Sequence, residues 1–184
     1  MKHLGTKTLN TPRLILRPFR IEDAEDMYAN WASDPVVTQY LTWPAHSSAD
    51  VTGQLLTYWT QGYEKPDSYN WALELREIGQ VIGSLSVVRV IEPIGEAEIG
   101  YCMGRRWWGQ GLMPEALREV LRFLFDEVGF NRVAAVHDVE NPKSGRVMQK
   151  VGMTREGTRR QGGRNNRGII DDVCYAILKS DARL

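Results

Sequence analysis

The segment RRWWGQGLMPEALREVL, residues 105–121, does most to limit what this chain can fold into. It follows AEIGYCMG, an apolar run of strand character, and leads into a helical pattern that sets Leu117, Leu121, Leu124 and Val128 on one face and stops at Gly129. Pro114 suits the first helical turn, where no backbone donor is needed. A strand that ends in a glycine turn and opens a helix leaves several N–H groups unpaired at the positive end of the helix dipole, which is a site for an anion, most naturally phosphate. Gly109 and Gly111 keep side chains from holding a phosphate off that backbone. A short pattern of this kind also fits a sharp structural turn with its indoles packed on the core. The segment lacks the Gly-Lys-Ser/Thr of a P-loop and the third glycine of a dinucleotide fingerprint.

The rest of the chain alternates strand and helix signals. LILRPF (14–19) reads as a strand, and Ile21, Ala24, Met27, Tyr28 and Trp31 recur at helical spacing until Asp34-Pro35. Ser47 or Ser48 caps a second helix through Val51, Leu55, Leu56 and Trp59. YNWALELR and VIGSLSVVRV form an antiparallel pair turning at Gly79, and AEIGYCMG (97–104) follows. After the central helix come the strand NRVAAVHD, the short helix NPKSGRVMQKVG, and two closing strands, MTREGTRR and DDVCYAIL, separated by the polar stretch QGGRNNRG. The order β-α-α-β-β-β-α-β-α-β-β predicts one α+β domain over 1–184, a mixed sheet with helices on its faces.

Lys plus Arg equals Asp plus Glu at 23 each, so no global field recruits nucleic acid or an anionic membrane, and a charged ligand needs a local site. No apolar stretch approaches the ~20 residues of a membrane span, and no signal-type apolar region opens the chain, so a soluble, cytoplasmic protein is expected. Cys102 and Cys174 lie in apolar runs and read as reduced core thiols. His3, His46 and His137 show no metal spacing, so no metal is expected. Glu22, Asp23, Glu25 and Asp26 either attract a cationic substrate or simply suit the start of a helix dipole.

The blocks TPRLILRPF, AEIGYCMGRRWWGQGLMPEAL and NPKSGRVMQKVGM, in this order, resemble the GNAT superfamily of acetyl-CoA-dependent N-acetyltransferases, and within it the ribosomal-protein N-terminal acetyltransferase (RimJ/RimL-like) group. The resemblance runs from Thr11 to Leu178. It implies a mostly antiparallel sheet of about seven strands with helices on both faces. It also implies that strand 97–104 splays from strand 131–138 to leave a slot for pantetheine. The cofactor-binding residues it points to are Cys102 and Met103 for the pantetheine amides and Arg106, Trp108, Gly109, Gln110, Gly111, Leu112 and Met113 around the pyrophosphate. Asn141 and Ser144 complete that set beside the pantetheine arm and sulfur. The Met103 N–H is the candidate donor to the acetyl oxyanion. Glu98 is the candidate general base, directly or through water, with Asp172 in reserve. The family's usual acid, a Tyr on the helix after the Asn, is replaced here by Met148; Ser144 matches the Ser of the ribosomal-protein group, which implies a hydrogen bond to the leaving sulfur, although a helix-start hydroxyl also suits a local backbone bond, and Tyr175 is an alternative of unknown orientation. The resemblance implies direct attack by a primary amine, most naturally a protein or peptide N-terminal α-amine, with a small amine or a non-catalytic CoA sensor as alternatives, and neither Cys has the adjacent His that a covalent route would use. Tyr40, Trp43 and Trp59 either line the acceptor pocket or pack in the core, and 161–168 is either a mobile rim over the acceptor or an ordinary hairpin end. The expected partners are acetyl-CoA and an amine, to a monomer or homodimer.

Overall fold

In the computed structural model, which describes residues 1–182, eight strands form one sheet in the order β1-β2-β3-β4-β5-β6-β8-β7. These are β1 (Leu9–Asn10), β2 (Leu14–Pro18), β3 (Asn70–Leu75), β4 (Gln80–Ile91), β5 (Glu96–Met103), β6 (Arg132–Asp138), β7 (Thr154–Asn165) and β8 (Gly168–Leu178). Every neighbouring pair is antiparallel except β5 and β6, which run parallel because a helix connects them. The expected seven strands become eight through β1, which pairs Leu9 with Leu16 and Asn10 with Ile15. Two residues are too few to show a period of two.

Helices lie on both faces. On one face α4 (Leu112–Arg122, running on as a π-type turn Phe123–Val128) and α5 (Pro142–Lys150) cover a core in which Leu14, Leu16, Trp71, Leu73, Leu85, Ala97, Ile99, Val133 and Ala135 come from alternate strand positions. Gly129 closes α4 in the left-handed conformation with φ 92°, as its place in the sequence predicts. On the opposite face α1 (Ala24–Met27, flanked by a 3-10 turn Ile21–Asp23 and a π-type turn Tyr28–Ala32) and α3 (Ala49–Gly62) pack on Phe19, Ala72 and Val81 of the β2–β4 half. Asp34-Pro35 ends the first helical stretch and also opens a further short helix, α2 (Pro35–Thr38), because the Asp34 carboxylate accepts the Val36 N–H at 2.9 Å. Ser48, not Ser47, is the cap of α3.

Two of the four acidic residues of the first helical stretch fasten it to the sheet. Asp23 is buried, takes both terminal nitrogens of Arg17 at 2.8 Å and accepts Arg20 N, while Asp26 accepts Val81 N at 3.0 Å. Arg17 also reaches Glu74 at 2.6 Å, so the buried charges are mutually compensated. QGGRNNRG is strand for most of its length. It holds a bulge between Arg159 and Gly163, and only Asn166-Arg167 turn between β7 and β8.

Candidate active site

The parallel ladder of β5 and β6 is short. It pairs Glu96 with Arg132, Ala97 with Val133, Glu98 with Ala134 and Ile99 with Ala135, and then stops, although β5 continues to Met103 and β6 to Asp138. A wedge-shaped gap therefore opens beyond Ile99 and Ala135, between the two strands that the family resemblance expects to splay. On the β5 side, the bond Gly104 N→Ile82 O and the pairing of Gly83 with Met103 settle which amides face it. Cys102 and Gly104 direct their backbone groups at β4, and Met103 and Tyr101 direct theirs into the gap. Of the two residues expected there, Met103 turns its backbone to the gap and Cys102 does not, while Tyr101 does.

The Cys102 side chain lies on the α1–α3 face, with its sulfur 3.2 Å from Ser84 Oγ, and burial pushes the thiol pKa up to about 11. At neutral pH it is a protonated, unreactive thiol.

Beyond β5 the chain makes a 3-10 turn (Arg105–Trp107), then the glycine loop, then α4. Gly109 and Gly111 both hold left-handed φ, 76° and 77°. Among the described residues, a side chain at Gly109 would meet nothing within 4 Å, and one at Gly111 only Arg13 Nη2 at 3.6 Å, so the glycines border open space and are not making room for other described residues. No side chain caps α4, and Pro114 has no N–H. The N–H groups of residues 109–113 find no protein acceptor among the described residues. This is an uncapped, positively polarised turn with open space beside its two glycines, the geometry that suits a phosphate group.

The two indoles split in role. Trp107 is buried in the core under the loop, and it passes so close to Gly104 that a side chain there would overlap its ring. Trp108 donates its indole N–H to Met103 O at 2.6 Å, and its ring carries Lys143 Nζ at 4.9 Å. It spans from the end of β5 to the start of α5, across the mouth of the gap. Arg106 is exposed and lies against the Trp107 ring at 5.8 Å. Gln110 bonds back to Arg106 O at 3.0 Å, and Leu112 and Met113 turn their side chains into the core, leaving only their amides toward the loop.

On the β6 side, Asn141 is the N-cap residue of α5, and its side-chain amide takes no partner among the described residues. Ser144, one turn on, donates its hydroxyl to Tyr101 Oη at 3.1 Å, while Tyr101 donates to Ser144 O at 2.9 Å. These two hydrogen bonds from β5 to α5 bridge the gap on the α4–α5 face. Burial raises the Tyr101 pKa well above the ordinary phenol value, so the hydroxyl stays protonated. Met148 is fully in the core. Tyr175 faces the α5 side, its ring tilted against that of His137 with centroids 5.7 Å apart, and its hydroxyl accepts from Gln149.

Glu98 stands on the opposite face, one residue before the last β5–β6 pair, at the apex of the gap. It is 17% exposed and pairs through Oε2 with Arg89 at 2.8 Å, while Oε1 has no protein partner among the described residues. Asp172 lies on the same face of β8, cross-strand from Asp138, but its carboxylate is committed. Arg159 holds it at 2.8 Å, and it fills the place where a side chain on Gly163 would stand.

The N-terminal half reaches over to this face through the α2–α3 connection. The hairpin tip is clipped to it, because Asn166 donates from its backbone to Leu41 O at 2.9 Å and from its side chain to Thr38 O and Leu41 O at 2.8 Å and Trp43 O at 3.2 Å. Tyr40 donates to Glu140 O at 3.1 Å under the Arg167 guanidinium. The stretch 161–168 is thus a fastened hairpin end, and Tyr40 and Trp43 belong to the arch it closes. Trp59 instead packs on Phe19 at 5.2 Å. Among the described residues no group of three or more His, Cys, Asp or Glu is arranged to hold a metal, and no helix is long and apolar enough to cross a membrane.

Residues 13–154 match the family described as acetyltransferase (GNAT) domain. The chain belongs to that family. This acetyltransferase is 27% identical to the uncharacterized N-acetyltransferase p20 of Bacillus licheniformis, over 95% of this chain and 98% of that one. It is also 27% identical to the [ribosomal protein uS5]-alanine N-acetyltransferase of Escherichia coli, over 81% and 79%. The microcin C7 self-immunity acetyltransferase MccE, solved in complex with acetyl-CoA and AMP, shares the fold with a TM-score of 0.81 at 18% identity, covering 91% of this chain and 93% of that one. The enzyme is an acetyl-CoA-dependent N-acetyltransferase with the family's mixed, mostly antiparallel sheet.

Sequence reasoning missed Tyr101, the bond from Trp108 to Met103 and the anchoring of Asn166. Tyr101 was accessible, since residues two apart in a strand direct their amides the same way and Met103 was already singled out. The other two depend on contacts between segments whose relative placement no local pattern encodes.

Proposed function

We propose that the enzyme acetylates the N-terminal α-amine of a protein or peptide by direct attack on acetyl-CoA in a ternary complex. The observation that carries this is the gap itself: it opens at Ile99 and Ala135 with the Met103 amide on its wall, the phosphate-type turn at its mouth and Glu98 at its apex on the face left free of α4 and α5. The amine enters on that face, and its nitrogen forms a bond to the acetyl carbon. The carbonyl oxygen gains negative charge and accepts the Met103 N–H. The proton of the attacking nitrogen passes to Glu98, directly or through water. The carbon–sulfur bond then breaks, and Ser144, its hydroxyl turned from Tyr101 toward the sulfur, stabilises the thiolate. The neutral Cys102 thiol is consistent with a route that has no acetyl-enzyme.

The arch of Tyr40, Trp43 and Asn166 suits a slender, unfolded chain end, and the E. coli relative's named substrate is a ribosomal protein. A small amine is the second reading, favoured by the nucleotide in the MccE complex. A thiol-release assay with acetyl-CoA against peptides with free or blocked α-amines and a set of small amines separates them. Free-amine peptides are expected to exceed small amines by about tenfold or more in kcat/KM. Turnover with small amines alone overturns the peptide reading, and CoA binding without turnover on any amine overturns the enzymatic one.

A further inference from the structure

The phosphate-type turn is held from outside by a residue distant in sequence. Arg13, just before β2, lies 97 positions ahead of Gln110, yet its Nη1 donates to Gln110 O at 2.9 Å. Its Nε and Nη2 both reach Glu115 Oε2 at 2.7 Å, and its backbone N–H reaches Glu115 Oε1 at 2.9 Å. Thr11 Oγ1 adds a bond to Glu115 Oε1 at 2.7 Å.

Two consequences follow for the turn. In a planar trans peptide the N–H points opposite to the C=O, so fixing the Gln110 carbonyl on Arg13 fixes where the Gly111 N–H points. Glu115 sits in the first turn of α4, where an uncompensated carboxylate would repel an incoming anion. Burial opposes its ionisation, but the hydrogen bonds from Thr11 and Arg13 outweigh that and hold its pKa below the usual carboxylate range. It is therefore a fixed negative charge, and Arg13 is the cation that cancels it. Three of the five guanidinium N–H groups are used, and Arg13 Nη2 is the atom nearest the open space beside Gly111.

We infer that Arg13 is a positioning residue for the diphosphate of acetyl-CoA, acting through Gln110 and Glu115. This rests on the reading of the glycine turn as the diphosphate cradle. The N-terminal strand then serves cofactor binding although it lies on the far side of the sheet from the gap.

The test compares acetyl-CoA with acetyl-pantetheine, which carries the thioester but no phosphate, for the wild type, Arg13→Ala and Arg13→Lys, with thermal melting of each. In Arg13→Ala the preference for acetyl-CoA over acetyl-pantetheine is expected to fall about tenfold or more, through KM and not kcat. Arg13→Lys keeps a charge beside Glu115 but not the fork that also holds Gln110, and a loss of about threefold is expected. If the alanine variant does not fold, the lysine variant decides. An unchanged preference in a folded variant, or equal losses with both donors, overturns the inference. A wild-type enzyme that uses both donors equally would instead remove the cradle reading on which it rests.

Discussion

Gly111→Ala separates the two things a left-handed glycine does in the phosphate turn. The backbone cost is that of an L-residue at φ 77°, about 1–2 kcal/mol. Among the described residues the atom near the added methyl is Arg13 Nη2 at 3.6 Å, an ordinary contact, so no collision adds to that cost. For a chain of this length the melting temperature should fall by roughly 2–8 °C. The methyl does occupy the space beside the bare amides. Displacing a phosphate oxygen from one charge-assisted N–H bond costs about 1.5–3 kcal/mol, which weakens CoA binding by roughly 10- to 100-fold. Gly129→Ala is the control: it has a comparable left-handed φ of 92°, at the other end of the same helix, and should lose similar stability with unchanged CoA affinity. Calorimetric titration with CoA and thermal melting of both variants provide the measurements. Gly111→Ala binding CoA within about threefold of the wild type, or Gly129→Ala losing as much affinity, would refute the reasoning.

Two further outcomes bear on the chemistry. Glu98→Gln should lower kcat by roughly 10²–10⁴-fold while leaving CoA affinity unchanged; near-normal turnover across pH assigns the base elsewhere. Cys102→Ala should keep turnover, because a neutral buried thiol does no chemistry. It should also flatten the alkaline stability profile. The folded thiol titrates at about 11, above the ~8.5 of an unfolded chain, so the native state holds a proton that the unfolded state releases, and stability falls as pH rises through that window. Denaturant unfolding between pH 8 and 11 in the two proteins checks this, and identical slopes would contradict it.

What the sequence by itself determined is what arises within a few neighbouring residues. The strand, glycine turn and helix around Gly109 and Gly111, the stop at Gly129 and the strand at 97–104 are all fixed by local conformational preference and periodicity. The bare amides of the turn were legible for the same reason, since the first turn of any helix lacks internal partners. The β5–β6 gap was expected only from family resemblance, because nothing in either strand alone marks where their ladder ends.

Tertiary structure decided which groups meet. Tyr101 and Ser144 are joined across 43 positions, Arg13 and Glu115 across 102, and Asn166 reaches Thr38 across 128. Each depends on register between distant elements, and register is set by the packing of the whole sheet against its two cores. Side-chain period states which face a residue occupies but not which residue it will oppose there. For this reason Glu98 was recognisable as a strand carboxylate from its neighbours, whereas its position at the apex of the gap, with one oxygen on Arg89, exists only once β4, β5 and β6 are aligned.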